Sequence, residues 1–525
     1  MSLLAKKGIN AQITSFELLK IVKFRILSFL AEHRIPAITL FILLLGIVYS
    51  WTKLFFRSKA ANSKKLSPYQ DGKESVAIGF EREFGETAIY RHASAVQGFK
   101  NYLENGRIQT IFDLMRYCRM QFADRDYLGS RSVNADGSLG QFEFLTYDQS
   151  YELSLQLAQG LASLGARSGD RIGFYSANCM EWKLAEGACY QSNLVVVSLY
   201  DSLGPNAVEY ILSHATLKIV FCSHKTFQKL IQAIDNMKYN SPIQHIILFK
   251  TNHGKQVADP KDLQKAKDLN VQVHSLEEIL KIGSLSEFEL NPPTKESIAT
   301  IMYTSGTTGE PKGVLLTHGN MISSISGFGI EERKDEFVTN LRSYLSYLPL
   351  AHIMERTTLY TVAYFGGKIG FYSGDIMQIT SDFLTLQPTD AAGVPRTYQK
   401  IYDKIMQVVE HTDPWSKWLF KTAYRAKQKA LKEGKDTPLY NRFVFDGIRD
   451  QVFGSRIERL LCGSAPLSEE LHEFLRIIFS VTVIEGYGLT ETSAGATSCE
   501  IPYLQKHVPA GRVGSPLRCV ELKLV

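Results

Sequence analysis

The stretch YTSGTTGEPKG at residues 303–313 constrains this chain more than any other segment. Thr304, Ser305, Gly306, Thr307, Thr308 and Gly309 follow a short apolar run, Ile298, Ala299, Ile301 and Met302, that reads as a strand. Glycines let the backbone approach an anion closely and turn its N–H groups inward. The hydroxyls add donors and Lys312 adds a point charge. The pattern predicts a loop that wraps a polyphosphate, with a second apolar run, Val314, Leu315 and Leu316, beyond it. It is not a Walker loop, because no Gly-Lys-Ser/Thr closes a four-residue spacer after a glycine. A flexible Gly/Ser/Thr linker is the competing reading. The Pro-Lys-Gly and apolar run that follow argue against it.

The rest of the chain supplies a body for such a loop. With 525 residues, 45% hydrophobic and 21% charged, it has globular composition and length enough for a large core. From about residue 85 onward, short β-rich runs alternate with helical ones. Strands are expected at 171–175, 194–200, 218–222 and 244–249, and helices at 181–191, 205–213 and 226–237. That alternation predicts parallel sheets covered by helices. Residues 250–297 are more polar and read as a peripheral segment. Seven dispersed cysteines with no CxxC pair point to reduced thiols, not to a disulfide framework or a zinc site. They place the body in the cytosol.

The net charge of +6 is unevenly distributed. Twelve Lys or Arg against four acids give residues 1–75 a charge of +8, which leaves the remainder at −2. A nearly neutral body argues against a nucleic-acid partner. Residues 35–52, IPAITLFILLLGIVYSWT, are uncharged and mainly apolar. As a helix they would span about 27 Å, close to the hydrocarbon core of a bilayer. The expected organisation is a basic arm at 1–33, which could form an interfacial helix or be a disordered arm or an extension of the anchor, a transmembrane anchor at 34–56, a basic linker at 57–84 and a globular domain at 85–525. Membrane lipid is thereby an expected partner through the N-terminal helix. The expected localisation is single-pass in the endoplasmic reticulum or another organelle membrane, with the body facing the cytosol. A buried core helix is the competing reading of the apolar run. Charges on both sides leave its orientation open.

The loop at 303–313 resembles the phosphate-binding loop of the adenylate-forming superfamily, which includes acyl-CoA synthetases, luciferases and nonribosomal-peptide adenylation domains. Three further segments carry the resemblance in the same order: YLPLAH at 347–352, CGSAPLS at 462–468 and GYGLTET at 486–492. Within the superfamily, LYDSLGPNAVEYI at 199–211 and GVPRTYQKIYDKI at 393–405 are most similar to long-chain fatty acyl-CoA synthetases. The similarity covers roughly residues 85–525.

The resemblance implies an α/β fold: a large adenylate-forming domain of helix-covered β-sheets, preceded here by the transmembrane helix and without the family's small C-terminal domain. It implies ATP, Mg²⁺ and coenzyme A as cofactors or co-substrates, and a long-chain fatty acid as substrate. Residues 304–309 and Lys312 would hold the β- and γ-phosphates. Thr490 would bond the α-phosphate, and Glu491, with Thr304, would hold Mg²⁺. Gly463, Ser464 and Ala465 would read the edge of adenine, with Glu485 close by. Tyr487, between Gly486 and Gly488, would stack on it. His352 would lie near the acyl chain or the thiol path. Lys312, Thr490, Glu491 and His352 are the implied catalytic set. Ser373-Gly374-Asp375 imitates the family's ribose-binding motif, but it precedes GYGLTET where the motif should follow, and is rejected. The family's later ribose aspartate and mobile lysine domain are not found. Residues 1–525 are therefore expected to make little acyl-CoA. A catalytically dead, membrane-tethered nucleotide- or lipid-binding remnant is the alternative, and a luciferase-like or carrier-thiol acceptor a third reading.

Overall fold

The computed structural model describes residues 75–78, 86–200, 206–237, 240–249, 258–289, 291–305, 310–330, 341–499 and 511–525. The basic arm, the expected anchor and the linker at 57–84 apart from residues 75–78 lie outside them. Residues 75–78 are a strand, β1 (Ser75–Ile78), which pairs antiparallel with β2 (Ile89–His92). The single-pass membrane localisation is corrected here. Among the described residues no helix is long and apolar enough to cross a membrane, and residues 34–56 lie outside them. Lipid contact through an N-terminal transmembrane helix is not sustained either.

Helices α1 (Ile111–Phe122) and α2 (Tyr147–Ser163) flank a hairpin of β3 (Asp126–Val133) and β4 (Leu139–Thr146). The chain then alternates strand and helix: β5 (Arg171–Tyr175), α3 (Met180–Gln191), β6 (Val195–Ser198), α4 (Ala207–His214), β7 (Ile219–Cys222), α5 (His224–Asn236) and β8 (His245–Leu248). These strands are continuous apolar runs, as expected where both faces of a parallel sheet are covered. The polar stretch after residue 250 is not merely peripheral. It supplies α6 (Pro260–Asp268), β9 (Gln272–Ser275) at the sheet edge and α7 (Leu276–Ser284). Next come β10 (Ile298–Thr304) and β11 (Lys312–Thr317), an antiparallel hairpin, and α8 (His318–Gly327). The first large sheet has the order β11-β10-β6-β5-β7-β8-β9.

The second large sheet is built from β12 (Ser343–Ser346), α9 (Ile353–Tyr364), β13 (Lys368–Phe371), α10 (Ile379–Leu386), β14 (Asp390–Gly393), α11 (Pro395–Glu410), α12 (Pro414–Lys432), β15 (Arg459–Cys462), α13 (Glu469–Phe479), β16 (Thr482–Tyr487), β17 (Thr497–Ser498) and β18 (Ser515–Pro516). Its order is β18-β17-β16-β15-β14-β12-β13-β3-β4. A last strand, β19 (Glu521–Leu522), joins β2 in a small third sheet.

Two buried helices, α3 and α9, join the large sheets. A helix buried all round is normally apolar, yet these carry Lys183, Glu186, Glu355 and Arg356, all buried. Consecutive residues of α9 serve opposite sheets. Glu355 accepts hydrogen bonds from Tyr344 (2.7 Å) and Ser346 (2.6 Å) of β12. Arg356 donates to Thr300 of β10 (2.8 Å) and to Ser198 of β6. Its charge faces Glu186 at 3.5 Å, which also binds Lys183 and accepts from Tyr360 at 2.7 Å. Burial pushes the Glu186 carboxyl up, but Lys183 and Arg356 outweigh it and hold it below its ordinary value. Buried charges persist only when paired and hydrogen-bonded in this way.

Candidate active site

The motifs gather at the carboxyl ends of strands, where α/β sheets place their ligand crevices. The β10–β11 hairpin brings Thr304 and Lys312 into register as its last pair. Thr304 is half-buried and Ser305 and Lys312 are exposed. Gly306, Thr307, Thr308 and Gly309, the tip between them, lie outside the described residues. The short helical turn Thr490–Thr492 contacts β11, which brings GYGLTET to the hairpin that carries the loop. Thr490 is half-buried and Glu491 exposed on that turn.

Strands β14, β15 and β16 run parallel, with Gly393, Cys462 and Glu485 in one row across their ends. Gly463, Ser464 and Ala465 therefore leave β15 alongside Gly486 and Tyr487. Ser464 has φ +70°, and beyond β16 Ser493 and Ala494 have φ +55° and +91°. Non-glycine residues with such backbone angles cost energy and gather at functional sites. Tyr487 is 48% exposed, so its ring is open to a planar partner. Its flanking glycines have a packing reason of their own. A Cβ on Gly488 would lie 1.6 Å from the Ala494 carbonyl oxygen, and one on Gly486 2.9 Å from that of Thr497.

Glu485 is placed differently from its expected contact. Its carboxylate turns to α13, with Oε1 2.6 Å from His472 Nδ1, and both residues are buried. Alternation along β16 explains this: Val483 and Glu485 point to the same face, where α13 packs. Only the backbone of Glu485 remains at the strand end.

His352 caps α9, is exposed and lies edge-on to Tyr200, with centroids 5.2 Å apart. The end of YLPLAH thus meets Tyr200, just beyond β6. The approach to His352 is held by residues that sequence reasoning missed. Asn178 donates to Ser346 (2.8 Å) and to the Leu348 carbonyl (2.6 Å) and accepts from Leu350 N–H (2.9 Å). Arg356 donates to the Leu350 carbonyl at 2.8 Å. The adjacent Glu355 and Arg356 that follow LPLAH are a visible signal, as two ionisable residues in a largely apolar helix. The rejected Asp375 has a structural role, accepting from Met377 N–H at 2.9 Å as a cap.

All seven cysteines are free. Among the described residues no group of three or more His, Cys, Asp or Glu forms a metal cage. A magnesium ion needs none, since it takes one or two carboxylates plus substrate phosphates. An exposed Glu491 beside the hairpin that carries Thr304 fits that donor set.

A family model described as AMP-binding enzyme matches residues 124–525. The chain is 35% identical over 457 residues to long chain acyl-CoA synthetase 6, peroxisomal, of Arabidopsis thaliana, covering 87% of this chain and 62% of that protein. It is 35% identical over 425 residues to fatty acyl-CoA synthetase A of Dictyostelium discoideum, covering 80% of this chain and 60% of that one. It thus spans less than two thirds of the length of these relatives. Among solved structures, the adenylation domain of a carboxylate reductase from Mycobacterium chelonae superimposes with a TM-score of 0.58 at 19% identity, over 74% of this chain and 59% of that one. An anthranilate CoA ligase in complex with anthranoyl-AMP gives 0.54 at 16% identity, over 78% of this chain and 64% of that one. The family's sheets, its motifs at the strand ends and the matched span agree, and the chain belongs to the AMP-binding enzyme family.

Proposed function

We propose that this chain activates long-chain fatty acids with ATP, forming the acyl-adenylate and pyrophosphate, and then passes the acyl group to coenzyme A. The observation that carries the proposal is the contact of the Thr490–Thr492 turn with the β10–β11 hairpin. It sets two phosphate-type motifs, distant in sequence, side by side. Attack of a carboxylate on the α-phosphorus displaces pyrophosphate, and positioning and charge neutralisation supply most of the rate.

In this reading Lys312 and the loop hydroxyls hold the β- and γ-phosphates, and Thr490 donates to the α-phosphate. Tyr487 stacks on adenine, whose edge meets the backbone of Gly463, Ser464 and Ala465. Glu491, with the Thr304 hydroxyl, holds Mg²⁺, which when bound offsets the charge of the triphosphate. His352 and Tyr200 border the acyl or thiol side. The relatives' names support fatty acid and coenzyme A as the substrates. Palmitate-dependent ATP–pyrophosphate exchange tests the first step, and a thiol-consumption assay with coenzyme A tests the second. A chain that binds ATP but exchanges no pyrophosphate with any fatty acid would be a nucleotide-binding protein only.

A further inference from the structure

Helix α12 presents an unusual face to solvent. Its side toward the protein is ordinary: Phe420 and Ala423 are buried, and Lys427 donates to Asn441 at 2.6 Å with its charge over the Phe445 ring. The exposed positions after its first proline are Trp415, Trp418, Lys421, Arg425, Lys429 and Lys432. Their spacing of three or four residues puts them on one stripe. The stripe contains two tryptophans, 54% and 61% exposed, four cations and no acid.

The surrounding charges offset it only in part. Lys432 has a loose pair with Glu473 at 3.8 Å. Among the described residues Lys421, Arg425 and Lys429 form no ion pair within 4 Å. Glu410 pairs with Lys417 and Glu433 with Lys435, and the two carboxylates also act through space on Lys421 and Lys429. Neighbouring α11 exposes Arg396, Lys400 and Lys404 against Asp403 and Glu410. Large aromatic rings are normally withdrawn from water, and tryptophan with lysine or arginine beside it is the composition of a bilayer interface.

We propose that the solvent stripe of α12 is a peripheral docking surface for an anionic lipid bilayer. The tryptophans enter the headgroup layer at one end, and Lys421, Arg425, Lys429 and Lys432 meet lipid phosphates along the rest. The helix, about 28 Å long, lies along the surface and spans nothing, because its other face is packed into the protein. A bilayer fits better than a nucleic acid because the cations share their stripe with two exposed tryptophans, on a body with net charge −2 beyond residue 75.

The test uses the full chain carrying Trp51→Phe, so that the emission that changes comes from Trp415 and Trp418. The remaining tryptophan, Trp182, is fully buried. Vesicles of phosphatidylcholine with about one-third phosphatidylserine, with and without brominated acyl chains, are titrated in. The expected result is a blue shift and quenching by brominated lipid, absent with pure phosphatidylcholine. Each cation near an anionic surface strengthens binding roughly fivefold. Lys421→Glu/Arg425→Glu/Lys429→Glu should therefore weaken binding by at least about a hundredfold. Trp415→Ala/Trp418→Ala should lower the bound fraction severalfold at unchanged melting temperature. Absence of quenching in the Trp51→Phe protein overturns the proposal even if vesicles sediment with it, since the basic N-terminal segment then accounts for binding. Loss of heparin or DNA retention on charge reversal, without quenching, makes the stripe a polyanion site and overturns it equally.

Discussion

The imidazole of His352 meets the ring of Tyr200 edge-on, with centroids 5.2 Å apart and planes at 79°. Tyr200 leaves the end of β6 in one large sheet, and His352 caps α9, which follows β12 of the other. The pair therefore marks the seam between the sheets. Edge-to-face aromatic pairs contribute about 0.5–1.5 kcal/mol. His352→Ala should raise KM for fatty acid or coenzyme A by up to about tenfold while the KM for ATP changes little, because the nucleotide motifs lie at other strand ends. Separate titrations of the three substrates decide this. A change confined to ATP would place His352 at the nucleotide.

Lys312→Ala and Glu491→Ala should each lower palmitate-dependent pyrophosphate exchange about a hundredfold, the usual effect of losing a charge contact made mainly in the transition state. Both side chains are exposed, so the melting temperature should hold. Exchange within threefold of the parent protein, on the other hand, removes them from the phosphate site.

Gly488→Ala should unfold the turn after β16. Its Cβ would collide with the Ala494 backbone, which no side-chain rotation can relieve. The expected loss is several kcal/mol, at the upper end for single substitutions. Urea denaturation measures it, and a change below about 1 kcal/mol would show that the turn accommodates a side chain.

Glu355 gives stability a pH dependence. Burial pushes its carboxyl up to about 8, against hydrogen bonds from Ser346 and Tyr344 that pull it down. Its ordinary value is 4.5. Between these values the folded chain keeps a proton that the unfolded chain has lost. The stabilisation is full below pH 4.5, falls through the window by about 1.4 kcal/mol per unit, and levels off above pH 8. Glu355→Gln should gain on the parent protein as pH rises from 5 to about 8 in thermal melts. Parallel melting curves across that range would disprove the assignment.

Arg356→Ala should destabilise the protein by about 3–5 kcal/mol, the range for breaking a buried ion pair. It also removes donors to Ser198, Thr300 and the Leu350 carbonyl. Arg356→Lys should recover only part, since an ammonium cannot serve three directions with a planar fork. Denaturant midpoints for the two variants and the parent protein rank them.

Much of this protein was decided locally, and those parts were legible in sequence. Apolar runs bounded by turn residues mark β5 to β8, with ends within two residues of the observed ones. The apolar runs on either side of the glycine- and hydroxyl-rich segment mark β10 and β11. The motifs that carry the family resemblance are read in the same way. Other features depend on what packs opposite a side chain, which no local pattern contains. Glu485 sits inside a nucleotide-type motif, yet strand alternation and the position of α13 give its carboxylate to His472. Glu355 and Arg356 are adjacent charges in a sequence, and only the two sheets on either side of α9 desolvate them and set their partners. The spacing of Trp415, Trp418, Lys421, Arg425, Lys429 and Lys432 is visible in the chain. That this stripe faces water, while Phe420, Ala423 and Lys427 face the core, was settled by packing alone. A helix pattern fixes which residues share a face, and the free energy of burying one face against its neighbours decides which face is left outside.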